Sequence, residues 1–382
     1  MDLGFSDGIV SEGIGGTPWV GIPGLRTVTP RGADINLNVG GDLAMSFSKI
    51  LSEYGGTISV NSGGAINVGS QDPVGDTTSP RVIVTLGGGN VEVIAQNDIE
   101  VSGSRIAAYD GGNIHVLSLM GEVDAGGGGS GAIKLNKPFW DAASGTIKVA
   151  SVTIPGSGIL ATSYPDYPGL PSSQVGNILI ETPRGDIRAG QGGIVQLSFG
   201  SLDNPNATLT LSAGSTATDG TVYKGSILAS SSGILGKQVE LKATGDVVGL
   251  IIAQGNLDIS SKQNVNVVAI GQGAVTVNAA GSVGGTLVAA GGLTVGGGGS
   301  FNANVISAPG AANVNGSASG STSTGSAAPV ASTAGQSSTK QAETGVAGGT
   351  GAASEDDPKK KKNLPTLVKR VGRVTVILPP NS

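Results

Sequence analysis

The chain is 382 residues long, with 67 glycines, no cysteine, a single histidine, 13% charged residues and 3% aromatic residues. That much glycine excludes a helical bundle, because each helical glycine costs about 1 kcal/mol, and the missing cysteine excludes disulfide frameworks and thiolate metal centres. The net charge of −5 hides a division: residues 1–357 hold fifteen basic and twenty-seven acidic residues, −12, whereas the remainder carries +7, which argues against a nucleic-acid surface on the body.

In chain order, residues 1–31 show no sustained periodicity and are expected to be irregular. The opening Met1-Asp2-Leu3-Gly4 has neither the basic start nor the apolar run of a signal peptide. From residue 32 a short unit recurs, a Gly or Asn corner followed by an apolar-x-apolar pair. It stands at Gly56-Thr57-Ile58-Ser59-Val60, Gly64-Ala65-Ile66-Asn67-Val68, Asn90-Val91-Glu92-Val93, Asn97-Asp98-Ile99-Glu100-Val101, Asn113-Ile114-His115-Val116, Gly145-Thr146-Ile147-Lys148-Val149 and Gly185-Asp186-Ile187-Arg188. It is clearest from Gly245 to Val295, where the anchors Val247, Leu257, Val265, Val275 and Leu293 are spaced by 10, 8, 10 and 18.

Period-two alternation puts one apolar set on one face of a strand, and β-branched residues suit that pleated, half-buried surface. A unit this short cannot bury its own apolar face, so successive units must stack. The fold class is therefore all-β: a parallel β-helix solenoid over 32–306, with coils of roughly 20 residues, on the order of a dozen of them, in a rod about 55–60 Å long. A sandwich or propeller leaves the ten-residue resemblance between units unexplained. Val247, Leu257, Ile259, Val265, Val267, Val275 and Val277 are expected inside.

Pro155, Pro165, Pro168 and Pro171 exclude ladder strands, so 154–176 is expected to be a loop thrown out from the rod. Residues 307–357 are almost entirely Gly, Ala, Ser and Thr, the composition of a disordered linker. Residues 358–382 are expected to be a basic tail, Lys359 to Lys362, ending in one short strand within Gly372–Pro379, which docks by strand addition or stays a free end. The longest apolar stretch, near Val247 to Ala253, is far short of the ~20 residues that cross a bilayer, so no transmembrane helix is expected.

The ordered series of repeats, low-complexity linker, lysine run and terminal strand resembles the C-terminal region of filamentous haemagglutinin-family surface proteins of bacteria. The stretch Thr182-Pro183-Arg184-Gly185-Asp186-Ile187-Arg188-Ala189-Gly190-Gln191-Gly192-Gly193-Ile194 and the closing Gly372-Arg373-Val374-Thr375-Val376-Ile377-Leu378-Pro379 carry the resemblance most directly. It implies a right-handed β-helix, export through an outer-membrane partner, an extracellular or cell-surface location, and adhesion to a host glycan or protein. The chain is then expected to be a fragment of a longer protein.

Candidate binding residues follow two signals. Phe139, Trp140, Tyr164 and Tyr167 gather a large share of the scarce aromatics in or near the Pro-rich excursion, where they either contact a ligand or pack the loop on the rod. Arg184-Gly185-Asp186 spells a tripeptide that integrins read, although Gly185-Asp186 also falls where the repeat places its ordinary corner. The alternative class is a carbohydrate-active β-helix enzyme, which needs converging carboxylates. Asp98 with Glu100 and Glu122 with Asp124 are its candidates, each pair sharing a strand face. His115 is expected on the outer face without assignable metal partners. Neither catalytic nor cofactor residues are assigned: the Gly-rich runs near 87, 126 and 296 lack the Lys-Ser/Thr of a phosphate loop.

Overall fold

The computed structural model describes residues 1–4, 6, 8–13, 32–46, 48–69, 82–127, 133–141, 143–154, 157–163, 172–307, 312–318, 322–324, 367–371 and 374–378. Among the described residues every regular element is a strand, and all but five of the strands belong to one continuous parallel sheet wound on itself; the fifth, Val222–Lys224, pairs antiparallel with the end of Thr208–Thr216. The expected solenoid is the fold.

Each coil crosses three ladders. The first runs in register through Ile35, Ile58, Val91, Ile114, Ile178, Leu209, Val239, Leu257, Val275, Leu293 and Ala312. The second runs from Leu43 through Ile66, Ile99, Val123, Ile187, Ile227, Val247, Val265 and Val283 to Phe301. The third begins at Ile9 and passes through Ile50, Ile83, Ile106, Ile159, Ile194, Ile234, Ile251, Ala269 and Leu287 to Val305. Eleven rungs in the first ladder span about 50 Å at ~4.8 Å each.

From Ile35 to Leu293, Leu43 to Phe301 and Ile50 to Val305 these anchors point inward and form one continuous apolar core, with Ile9 packed against it. All seven residues expected inside are buried, Val247, Leu257, Val265 and Val277 completely. In the C-terminal half the coil length settles at eighteen residues, as in Leu257↔Val275↔Leu293. There one strand, Val247–Ala253, serves both the second and third ladders by bending at Gly249. Gly249 has φ +113, and a Cβ there would lie 1.4 Å from the Ala229 carbonyl oxygen of the coil below; only glycine lets the chain turn this tightly against its neighbour.

The Asp and Asn residues of the repeat have a defined task. Each stands just before an inward anchor and accepts, through Oδ1, the N–H of the equivalent residue one coil on. Asp42 takes Ala65 at 2.8 Å, Asn90 takes Asn113 at 2.9 Å, Asp246 takes Asn264 at 3.0 Å, Asn256 takes Ala274 at 2.9 Å and Asn264 takes Ser282 at 2.9 Å. Corner N–H groups that strand pairing leaves over are thereby satisfied. Inward hydroxyls at the end of the first-ladder strands do the same for carbonyls: Ser62 donates to Gly41, Ser118 to Asn97 and Ser261 to Gly245.

The third ladder differs from the others on its outer side, which is also apolar. Leu51, Val84, Ala107, Leu160, Val195, Leu235, Ile252, Ile270, Val288 and Ile306 stack there in register. In the N-terminal coils this side is covered, with Val82, Val84, Ala107 and Tyr109 fully buried. Arg105 shares that side, and burial lowers its pKa and lifts that of Tyr109 to about 12.

Five boundaries differ from expectation. Ile9–Ser11 pairs with Ile50–Ser52 and Asp2 bridges to Ala44, so part of 1–31 belongs to the rod. Thr146–Ile154, which contains the unit at 145–149, pairs antiparallel with Ile133–Asp141 instead of joining the ladder. Alternation is common to both pairings, so it does not distinguish them. Within the expected loop 154–176, Gly158–Thr162 is a third-ladder strand, since Pro155 and Pro165 flank it without entering it. The ladder continues past 306 through Ala312–Ala318 and Thr322–Thr324; residues 325–366, most of the expected linker, lie outside the described residues. Finally, the terminal strand Val374–Leu378 pairs antiparallel with Leu367–Val371, a hairpin in place of a single strand added to another sheet edge.

Two outcomes follow. Val265→Asp places an unpaired charge in the core and should lower stability by several kcal/mol, read as a drop in the urea midpoint. At the first rung, burial and the neighbouring Glu12 carboxylate raise the Glu53 pKa to about 7. A raised carboxyl favours the protonated folded state, so docking of Ile9–Ser11 should weaken as pH rises from 4.5 through 7. Hydrogen exchange of residues 9–11 across that range measures it, and Glu53→Gln should flatten the dependence.

Candidate functional site

The rod is interrupted between Val123–Asp124 and Gly158–Thr162, where the chain leaves the ladder and returns to it. Ile133–Asp141 and Thr146–Ile154 form an antiparallel hairpin that makes a sheet of its own, separate from the rod. Its turn is held by Asp141, whose carboxylate pairs with the Lys148 ammonium and accepts Ser144 Oγ at 2.7 Å and the Ala143 N–H at 3.2 Å. The Lys148 bond, aided by Ser144, holds the Asp141 pKa at about 2. Register puts Trp140 opposite Ile147 and Phe139 opposite Lys148, beside this turn. Ile147 and Val149 are 47% and 52% exposed. Two of the four candidate aromatics therefore belong, near its turn, to one hairpin outside the rod's sheet; Tyr164 and Tyr167 lie outside the described residues.

The candidate carboxylates fall on the outer polar faces, where each is engaged. Asp98 accepts the Glu122 N–H at 2.9 Å as part of the corner ladder, and Asp124 accepts the Gly126 N–H at 2.7 Å. Glu122 takes the Arg188 guanidinium at 2.9 Å, and Asn67 donates to Glu100 at 3.4 Å. The stacking brings Arg188 up to Glu122 from 66 residues away. The arrangement is an ionic row that crosses coils on a solvated face, worth little individually to stability.

His115 acquires partners that sequence order conceals. Its Nε2 lies 3.1 Å from Glu181 and its Nδ1 3.7 Å from Glu92, which also accepts Ser59 Oγ at 3.0 Å. Glu92, His115 and Glu181 come from three successive coils of the first ladder. Spacings of 23 and 66 residues offered no local signal for that row. Among the described residues no group of three His, Asp or Glu side chains is arranged to hold a metal ion.

At Arg184-Gly185-Asp186, the Asp186 Oδ1 accepts the Ser226 N–H at 2.8 Å, the same corner bond made by Asp246, and its Oδ2 lies 3.4 Å from Arg188. The Arg184 guanidinium lies over the Tyr223 ring, 4.2 Å from its centroid. Gly185 packs on the coil below, where a Cβ would meet the Gly121 carbonyl oxygen at 2.0 Å. All three residues thus have structural partners. The chain matches no protein-family model, no curated protein and no solved structure.

The Asp186 carboxylate should therefore matter to stability before recognition. Asp186→Ala leaves a corner N–H unmet and is expected to cost about 1–2 kcal/mol, whereas exposed Arg184→Ala should change stability by less than about 0.5 kcal/mol. Denaturant unfolding of both variants measures the contrast. Equal loss of integrin-dependent cell attachment in both, without a stability difference, would restore the tripeptide reading.

Proposed function

We propose that this chain is a non-enzymatic rod segment of a bacterial surface or secreted adhesin, in which the 133–154 hairpin is the attachment element. The observation that carries this reading is the hairpin's relation to the rod. The ladder resumes after it in register, Arg105↔Gly158 and Ile114↔Ile178, so the insertion leaves the stack unbroken while exposing Ile147 and Val149. Exposed aliphatic surface on a projecting, ion-paired hairpin suits contact with a partner. A host-surface glycan or protein is the expected partner, with Phe139 and Trp140 as the contact residues.

The resemblance to filamentous haemagglutinin-type proteins supplies the surface location and export through an outer-membrane partner as parts of the same proposal. The engaged carboxylates support a scaffold over a glycan-cleaving enzyme, since Asp98, Asp124 and Asp186 already serve backbone N–H groups. General acid–base work needs a carboxyl group free to exchange its proton with substrate.

The test compares the full chain with one in which 133–154 is replaced by a short Gly-Asn turn. Binding to a glycan panel and to cultured epithelial cells should fall at least tenfold in the shortened chain, with its strand circular dichroism and unfolding midpoint unchanged. Retained binding would remove the hairpin's role. Release of reducing or unsaturated ends from pectin or alginate, abolished by Glu122→Gln, would replace the adhesin reading with an enzymatic one.

A further inference from the structure

The hairpin of Ile133–Asp141 and Thr146–Ile154 has two edges, and its sequence treats them differently. Among the described residues no third strand pairs with either. Pro138 stands opposite Val149. Proline has no N–H, so this pair cannot be one that exchanges hydrogen bonds, and because such pairs alternate along an antiparallel ladder, the exchanging ones are Lys137 with Ala150 and Phe139 with Lys148. The N–H and C=O groups of Ile147 and Val149 therefore point away from the paired strand, to the free edge. The opposite edge lacks a donor at Pro138, which is how an edge is closed to further pairing.

The open edge is also accessible. Residues 143–149 are exposed, Ile147 and Val149 with them, and these two side chains, two residues apart, share one face of the ribbon. Lys148 takes the other face. A two-stranded ribbon is marginal in water, and a third strand is what makes such a sheet stable. A strand added here sets alternate residues beside Ile147 and Val149 and the residues between them on the Lys148 face.

We propose that the Thr146–Ile154 edge binds an extended acidic peptide segment of a protein partner as a third strand, through main-chain pairing at Ile147 and Val149. The proposal rests on the attachment role given to the hairpin above. Backbone complementarity selects a polypeptide over a glycan, which has no repeating row of N–H and C=O groups at strand spacing. Charge selects the kind of peptide. Residues 133–154 hold three lysines and one aspartate, +2, whereas the rest of 1–357 holds twelve basic and twenty-six acidic residues, −14. Because salt screens charges beyond about 8–10 Å, the hairpin's own lysines set the preference of a strand laid against it. A second copy of the hairpin would set +2 against +2.

The test titrates the full chain, at low salt, with a fluorescein-labelled octapeptide that alternates Glu and Val and with its counterpart carrying Lys in place of Glu. The acidic peptide should bind at least tenfold more tightly and slow amide exchange of Ile147 and Val149 at least tenfold. Val149→Pro removes one outward donor while leaving the hairpin's own ladder bonds, and it should weaken binding at least tenfold. Val149→Thr keeps the donor and should stay within threefold. Failure of the acidic peptide to bind, equal affinity for the two peptides, unprotected amides at 147 and 149, or Val149→Pro binding as well as Val149→Thr would each overturn the proposal. Protection of those amides that grows with protein concentration in the absence of peptide would give the edge to a second copy and overturn it too. Cell attachment that needs 133–154 yet survives Val149→Pro would end this proposal and leave the attachment reading standing, whereas intact peptide binding with attachment indifferent to 133–154 would do the reverse.

Discussion

An eighteen-residue coil has no interior until another coil lies on it. Leu257 and Ile259 are shielded because Val239 and Leu241 lie below them and Val275 and Val277 above. Hydrophobic burial and backbone pairing are therefore supplied by the same event, the docking of one coil on the next. Neither can be had locally, and stability accumulates along the rod by nearest-neighbour contacts.

That dependence accounts for how the polar residues are used. A stacked coil must satisfy its corner N–H groups without help from strand pairing, and Asp or Asn before several first- and second-ladder anchors does so across the coil boundary. Asp98, which reads in isolation as an acid–base candidate, and Asp186, which reads as part of an integrin tripeptide, are both claimed by this geometry. The remaining outer charges find partners along the ladder direction, as Arg188 does with Glu122 and His115 with Glu181.

The same constraint leaves corners free. Stacking demands register only within the three ladders, so the chain between them can lengthen without disturbing the core. From Ile114 to Ile178 one coil spans 64 residues and carries a hairpin, yet its rungs pair with both neighbours. Function under this reading sits on what the corners carry, and the rod supplies reach and rigidity. Among the described residues, the outer side of the third ladder is apolar along its whole length.

The solenoid, its inward residues and a coil of roughly 20 residues were readable in sequence, because period-two alternation and the spacing of Val247, Leu257, Val265, Val275 and Leu293 are local properties that stacking makes cumulative; the value of eighteen came from the register. The corner role of Asp186 was readable for the same reason, as one member of a repeated position. Partner choice was not. Alternation at Ile147 and Val149 is the same whether a strand pairs parallel within a rod or antiparallel within a hairpin, and only the chain's path assigns the second. Proline likewise marks where a ladder is interrupted but not what lies between interruptions, so Gly158–Thr162 was hidden among them. The rows Glu92–His115–Glu181 and Val195–Leu235–Ile252 join residues from different coils whose lengths vary, and a contact across unequal coils exists only once the register between them is set.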